Sequence, residues 1–590
     1  MNNLIRTGLL ATALSACLTA CNDEWDEHYG KTADAPYGTA SLYEVLSEQP
    51  ELSDFCRVLQ KAKVFSNYRQ TDVTYATLLG TDQFFTVWAP VNGTFNCDSL
   101  LALCDTSEGD SLVELHFVKN HVARYSHSID GTEQQVYMLN GKTLPQDAST
   151  FNGIDVHQSN IAARNGLVHI IDRTSPYYHN IYEALVGQSR YQHIGQFLRS
   201  YQIDKLDEAS SLAKEIVDGK TVYIDSVFYS SNILLSRNMY GVINSEDSTY
   251  WMLVPEKELW DSLYAEAYTY FNYAGVAKPD SLRNLYAHYA LMQDLVYNPN
   301  VQYYPERMMH STPWTNSVSS ISELEEIYEH HCYFDAYGEG GIFNPATWCG
   351  QQQCSNGYIY NLDRWPFEKE HLYFYPLKYD VETQNMTYDE GVKNKKLTVD
   401  IVTVNDSRVH DAYISVTPAT QTDPYYVECE VPEVLSGTYD VYVVFLPRSV
   451  NSALPFTDET TAGKRNRRPA KFYAEITYRG TDGESYTVNS RTRYKIDETD
   501  PAYYVKGGSS DSFLFDCNLN PNTSSCAFVN DPFEVDSVKL CTFTFPTCSY
   551  GLDEATTRLK IKNAISNRET NKYWGVWFID RVILMPHQED

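Results

Sequence analysis

Phe85-Thr-Val-Trp-Ala-Pro-Val-Asn-Gly-Thr-Phe95 is the stretch on which the reading of this chain turns. A short run of strand-forming residues ends in a proline that stops the strand, and Asn92 then offers a side chain suited to capping the next helix. The pattern returns as Trp251-Met-Leu-Val-Pro255, and each proline is followed five residues on by an aromatic, Phe95 or Trp260. Upstream, Ser41-Leu-Tyr-Glu-Val-Leu46 is answered by Asn180-Ile-Tyr-Glu-Ala-Leu185. Downstream, His121 lies 31 residues past Pro90, and His288 lies 33 past Pro255. Asn165-Gly-Leu-Val-His169 with Asp172 is answered by Asn356-Gly-Tyr-Ile-Tyr360 with Asp363, the Asn-Gly pair favouring a tight hairpin turn. Landmarks recurring in one order mark an internal repeat, with units expected over 41–177 and 178–375. The second unit carries roughly 25 extra residues in each of two places, near 205–245 and 295–350.

These landmarks resemble the fasciclin domain. Its first signature corresponds to Ala89-Pro90-Val91-Asn92-Gly93-Thr94-Phe95, its middle one to a Tyr-His-like pair near His121, and its last to Asn165–His169 with Asp172. The second copy is degenerate, lacking the asparagine after Pro255 and carrying Tyr360 in place of the histidine. The resemblance implies an α+β fold, a β-sandwich wedge with flanking helices, and a role in adhesion or recognition without catalytic residues. His121 and His169 are then expected to be satisfied structural histidines.

From about residue 376 the pattern changes to short alternating runs separated by turn residues. Ser436-Gly-Thr-Tyr-Asp-Val-Tyr-Val-Val-Phe445, Lys471-Phe-Tyr-Ala-Glu-Ile-Thr477 and the closing Trp574-Gly-Val-Trp-Phe-Ile-Asp-Arg-Val-Ile-Leu-Met-Pro586 are examples. Few helical periods interrupt them, so 376–590 is expected to form an antiparallel sandwich. The Ser-Gly-x-Tyr-Asp-Val and Ile-Asp-Arg-Val-Ile-Leu runs resemble galactose-binding-type jelly rolls, as in many carbohydrate-binding modules. The fold class expected is therefore multidomain: α+β fasciclin-type domains followed by an all-β jelly-roll-like sandwich.

The first residues read as an address. Arg6 precedes an apolar run, Gly8 to Leu18, too short for a permanent membrane span, and the run ends in Leu18-Thr19-Ala20-Cys21. That ending resembles the lipobox of bacterial lipoproteins, better than Ala13-Leu14-Ser15-Ala16 before Cys17 does. The resemblance implies a signal peptide over 1–20, a lipid on Cys21, and firm outer-membrane anchoring through several acyl chains. The acidic cluster Asp23, Glu24, Asp26 and Glu27, in a tether over 21–40, resembles the export signal that sends lipoproteins of the Bacteroidota to the cell surface.

The bulk composition sets limits. A chain of 590 residues exceeds one hydrophobic core, and its formal net charge of -31 repels nucleic acid and anionic lipid. Forty-seven tyrosines offer flat apolar faces with polar tips, useful for sugars or peptides and equally for filling β-sheet surfaces. Without Cys17 and a lipidated Cys21, eleven of the 13 cysteines remain. Cys97/Cys104, Cys349/Cys354, Cys517/Cys526 and Cys541/Cys548 are spaced for short-loop disulfides outside the cytoplasm.

No Gly-x-Ser-x-Gly elbow, His-Glu-x-x-His, P-loop or EF-hand spacing occurs in the sequence. The His330-His331-Cys332 cluster, with Cys349 and Cys354, has ligand-type residues. Adjacent histidines serve one tetrahedral site poorly, so no metal or other cofactor is expected. The basic run Lys464-Arg465-Asn466-Arg467-Arg468 is anomalous against the acidic background and reads first as a solvated loop. The expected function is non-catalytic binding of a glycan or peptide at the cell surface, beside a SusC/SusD-like importer that such lipoproteins resemble partners of. Adhesion to matrix, mucin or other cells is the alternative. Ligand contact is expected at Trp314 and Trp348 in the 295–350 insertion and at Trp574 and Trp577 in the sandwich.

Overall fold

The computed structural model describes residues 38–66, 69–217, 220–239, 241–299, 309–310, 332–333, 336–388, 397–409, 411–451, 459–496, 504–507, 512–519 and 526–588. Cys21, Asp23, Glu24, Asp26, Glu27, Trp314, His330 and His331 lie outside the described residues.

In the first unit, strands Phe85–Pro90 and Gly166–Ile171 run parallel as the second and third strands of a seven-stranded sheet. Every residue of both strands is buried, because each strand has cover on two sides. Helices Leu42–Ser47, Ser53–Lys61 and Tyr75–Leu79 bring Leu42, Phe55, Leu59 and Leu79 against Val87 and Val168. On the opposite side, Trp88 and Ile171 pack with Val136, Met138 and Phe151 from the rest of the sheet. Asn92 does not cap the following helix. Its Oδ1 accepts from the Asp54 N–H at 2.9 Å, at the start of the preceding helix Ser53–Lys61. Asn96 caps the following helix, Cys97–Leu103, accepting from the Ser99 N–H at 3.0 Å.

The second unit repeats this plan. Strand Tyr250–Pro255 runs parallel to Gly357–Leu362, with Val296–Tyr297 and Gly350–Cys354 outside them. Gly166 and Gly357 open the two returning strands at φ +145° and +136°. A Cβ there would meet the Phe85 or Tyr250 carbonyl oxygen at 1.8 or 1.7 Å, so both positions demand glycine.

The register corrects one landmark. Val122 pairs with Val87 and Val296 with Met252, and the Trp88 and Leu253 amides donate to the His121 and Leu295 carbonyls. Leu295, 40 residues past Pro255, is therefore the counterpart of His121. His288 instead lies in helix Pro279–Met292, stacked on Phe197 at 4.1 Å. The insertion near 205–245 is a lengthened hairpin. Lys63–Ser66 and Arg69–Thr74 of the first unit become Gln202–Val217 and Lys220–Asn232 in the second, after equivalent helices.

From Leu377 onward the chain forms two facing six-stranded sheets. One orders Leu397–Thr403, Ala412–Pro418, Trp577–Pro586, Gly437–Phe445 and Asp536–Phe545, with Leu377–Asp380 also on Trp577–Pro586. The other orders Met386–Tyr388, Tyr426–Val431, Thr557–Asn563, Lys471–Arg479 and Ser485–Asn489, with Phe528–Val529 on Lys471–Arg479. Burial alternates residue by residue along Lys471–Arg479, the signature of one face on the core and one on water. An α+β part thus precedes an all-β jelly-roll-like sandwich. The sandwich core is continuous with that of the second unit. Phe374 bridges them, its ring 4.6 Å from Tyr270 and 4.9 Å from Tyr439.

One of the four short-loop disulfides forms, Cys517–Cys526. Cys97 opens helix Cys97–Leu103 and Cys104 follows its end, about 10 Å of axial rise away. Cys354 ends the extended strand Gly350–Cys354, and Cys349 precedes its start. Cys541 sits inside strand Asp536–Phe545, with Cys548 beyond its end. In each of these three pairs regular structure holds the thiols apart, and all six cysteines are free.

Candidate functional site

The terminal strand breaks its alternation at Asp580-Arg581. Val582 pairs with Val443 and Ile579 with Phe445, so two residues stand opposite Val444. This bulge leaves Asp580 and Arg581 adjacent on the outer side of the sheet. Arg581 Nε donates to Asp580 Oδ2 at 2.9 Å, and its Nη2 lies 3.4 Å from Asp380 Oδ1. Burial lifts the nearby Glu382 carboxyl to about 7, with Asp380 and Asp580 adding to the rise and Arg581 opposing it.

A loop walls the other side. Asp406 grips Arg408 through Nε at 2.9 Å and Nη2 at 2.6 Å, and Arg408 holds the Asp406 carboxyl down at about 2. Beneath the loop, Val409, Tyr413, Leu446 and Val450 form a small buried cluster with Phe578 against it. Between wall and bulge lies an open groove of about 400 Å³. Val444, Val535 and Ile583 give it an apolar floor, and Ser407, Ser537, Arg408 and Arg581 give it hydroxyl and guanidinium groups. Beyond the groove, Asp440 joins Lys539 Nζ at 2.9 Å, His587 Nδ1 at 3.1 Å and the Thr542 hydroxyl at 2.6 Å. Apolar floor and polar donors together suit a ligand that has both apolar and hydrogen-bonding faces.

Of the tryptophans singled out by sequence, the described ones, Trp348, Trp574 and Trp577, do not converge here. Trp577 is 0% exposed, packed on Tyr425 at 4.7 Å, so its place is in the core and a ligand cannot reach it. Trp574 lies before the strand begins. Its ring is flanked by the guanidiniums of Arg465 at 4.7 Å and Arg448 at 5.7 Å. Trp348 is half-buried in the second unit, 5.3 Å from Tyr360. The groove residues were missed, although the polar pair inside Phe578-Ile-Asp-Arg-Val-Ile583 is a bulge signal.

His121 and His169 are structural. His121 Nδ1 donates to the Phe117 carbonyl at 2.7 Å and Nε2 accepts from the Ser175 N–H at 2.9 Å. His169 Nε2 donates to the His127 carbonyl at 2.9 Å, while Nδ1 accepts from the Asn160 N–H at 3.1 Å.

Residues 50–174 match the family of the fasciclin domain. The first unit is a fasciclin domain. A FAS1 domain pair from the insect cell adhesion molecule fasciclin I is 12% identical, over 49% of this chain and 90% of that one, with a TM-score of 0.17. A family 35 carbohydrate-binding module from Clostridium thermocellum is 9% identical, over 36% of this chain and 99% of that one, with a TM-score of 0.16. The C-terminal family 22 carbohydrate-binding module of Clostridium thermocellum Xyn10B is 10% identical, over 36% and 94%, with a TM-score of 0.15. No curated protein matches the chain.

Proposed function

We propose that this protein is a non-catalytic, glycan-binding lipoprotein of the outer cell surface, and that the sandwich groove holds the glycan. The observation that carries the reading is the groove of about 400 Å³, with its apolar floor beside Arg408 and Arg581. The lipobox-like Leu18–Cys21 and the acids Asp23, Glu24, Asp26 and Glu27 support the address. Placement beside a SusC/SusD-like importer follows from that address. Ser537 is exposed, so Ser537→Trp should fill the groove without disturbing the core, and Arg408→Ala should remove a donor. Glycan-array binding by the full chain should be lost in the first variant and weakened in the second. A blank array, or unchanged binding in both variants, would refute the groove. For the address, Cys21→Ala should abolish palmitate labelling, and replacing the four acids by Ala should protect the protein from external protease on intact cells. Mild-detergent purification should recover a transporter.

Adhesion is favoured by one observation. Tyr125 is 72% exposed at φ 66°, its N–H donating to the carbonyl of Phe84, itself 42% exposed, and the two make an exposed aromatic pair on the fasciclin domain. Cell attachment lost in Tyr125→Ala but kept in Ser537→Trp would select that reading.

A further inference from the structure

The loop end of the sandwich, around Trp574, concentrates positive charge in a molecule of formal net charge -31. Arg448 is the centre of it. Only 9% exposed, its guanidinium is held by backbone carbonyls: Nη1 donates to Arg465 at 2.9 Å, and Nη2 to Val576 at 2.7 Å and Trp574 at 3.3 Å. Among the described residues no carboxylate pairs with it. Buried charge is ordinarily paired, so a guanidinium satisfied by dipoles alone leaves its field directed outward. Burial lowers its pKa to about 9, the direction a neighbouring anion would reverse.

Two more arginines share this end. Arg465 is exposed and lies over the Trp574 ring at 4.7 Å. Arg468 donates through Nη1 to the Thr570 carbonyl at 3.0 Å. Neither pairs with a described carboxylate. Lys464 and Arg467 both meet Glu459, at 3.1 and 3.2 Å, and Lys471 takes Glu569 at 2.8 Å. Among the described residues these six cations outnumber the acids Glu459, Glu569 and Asp531 beside them, and Arg448, Arg468 and Asn530 line one recess. The Trp574 ring spaces Arg448 and Arg465, so the cluster is a positioned array and not a fringe of free side chains. Leu446 lines this recess and Val409 lines the groove, and both belong to one buried cluster with Tyr413 and Val450.

We propose that this loop end is a second binding site, separate from the groove, for an acidic polysaccharide bearing carboxylate or sulfate groups. Arginine forks take both anions, and a polysaccharide spaces its charges one or two to a sugar. Duplex DNA carries a charge every 1.7 Å or so, and most of that charge would face the acidic remainder of the molecule.

The full chain at about 50 mM salt should bind polygalacturonate or heparin and leave neutral dextran, with affinity falling steeply as salt rises. Polygalacturonate separates the carboxylate source from sulfate, which heparin reports. Lys464→Glu with Arg465→Glu should weaken that binding tenfold or more, while Lys257→Gln, which removes an exposed cation of the second unit outside both sites, should leave it unchanged. If the double variant fails to fold, Lys464→Gln with Arg465→Gln should give the same loss in a smaller measure. Absence of binding to both polyanions, equal affinity for duplex DNA, or unchanged binding after charge reversal would overturn the site. The Ser537→Trp result is read on neutral glycans, so failure of the groove leaves this test standing.

Discussion

Asn165 and Asn356 do the same work in the two α+β units. The Leu42 N–H donates to Asn165 Oδ1 at 2.7 Å, and the Ile181 N–H donates to Asn356 Oδ1 at 2.9 Å. Each asparagine thereby ties the first amide of a helix, 123 or 175 residues earlier in the chain, to the turn before the returning strand. Each also donates through Nδ2 to two carbonyls, those of Leu79 and Gln83 or of Ile243 and Ser245. Asn165→Asp would keep the acceptor but set a carboxylate against two carbonyls. Its expected cost is about 2–4 kcal/mol, seen as a lowered urea midpoint. A variant as stable as the parent at pH 7 would show that the donors contribute nothing.

Lys142 clamps the fasciclin domain to the second unit. With its side chain 3% exposed, Nζ donates to Glu183 at 2.9 Å, Glu246 at 2.7 Å and the Ser355 hydroxyl at 3.1 Å. Burial pushes the Glu183 carboxyl up, but His179 and Lys142 outweigh it and hold the group at about 2. Lys142→Met should destabilise by about 3–5 kcal/mol, because two acids lose their cation. Combining it with Glu246→Gln should recover part of that loss, and strict additivity in the double variant would argue against the clamp.

Burial lowers the pKa of His121 and His169 to about 4 each, from an ordinary value of 6.5. The unfolded chain takes up these protons first as pH falls, so stability should drop between about pH 6.5 and 4, by on the order of 3 kcal/mol per histidine. Thermal unfolding across that window should show the slope, and His121→Gln, which leaves His169, should roughly halve it. An identical slope in the variant would assign the acid sensitivity elsewhere.

Trp577 and Trp348 should separate on truncation. Trp577→Ala removes a fully buried ring and should cost about 3–5 kcal/mol. Trp348→Ala, from a half-buried ring against Tyr360, should cost less, about 1–3 kcal/mol. Equal melting temperatures for the two variants would contradict the packing described.

The alternation of Lys471–Arg479 and the paired Asn-Gly turns were legible because both are local: side-chain period and turn chemistry act within a few residues. The matched histidines misled for the complementary reason. His121 and His288 lie at nearly equal distances beyond their prolines, but a strand partner is chosen by sheet register, and register selected Leu295.

By itself the sequence determined the repeated α+β plan and the change to alternating strands after residue 376, since hydrophobic period and strand-stopping residues are written in adjacent positions. Tertiary structure alone decided that the last strand, Trp577–Pro586, lies inside its sheet, that Trp577 is core, and that Asp580 and Arg581 face one groove with Arg408. Those outcomes depend on which distant segments pair and what covers each face, and burial is a property of the assembled neighbours that no short stretch of chain encodes.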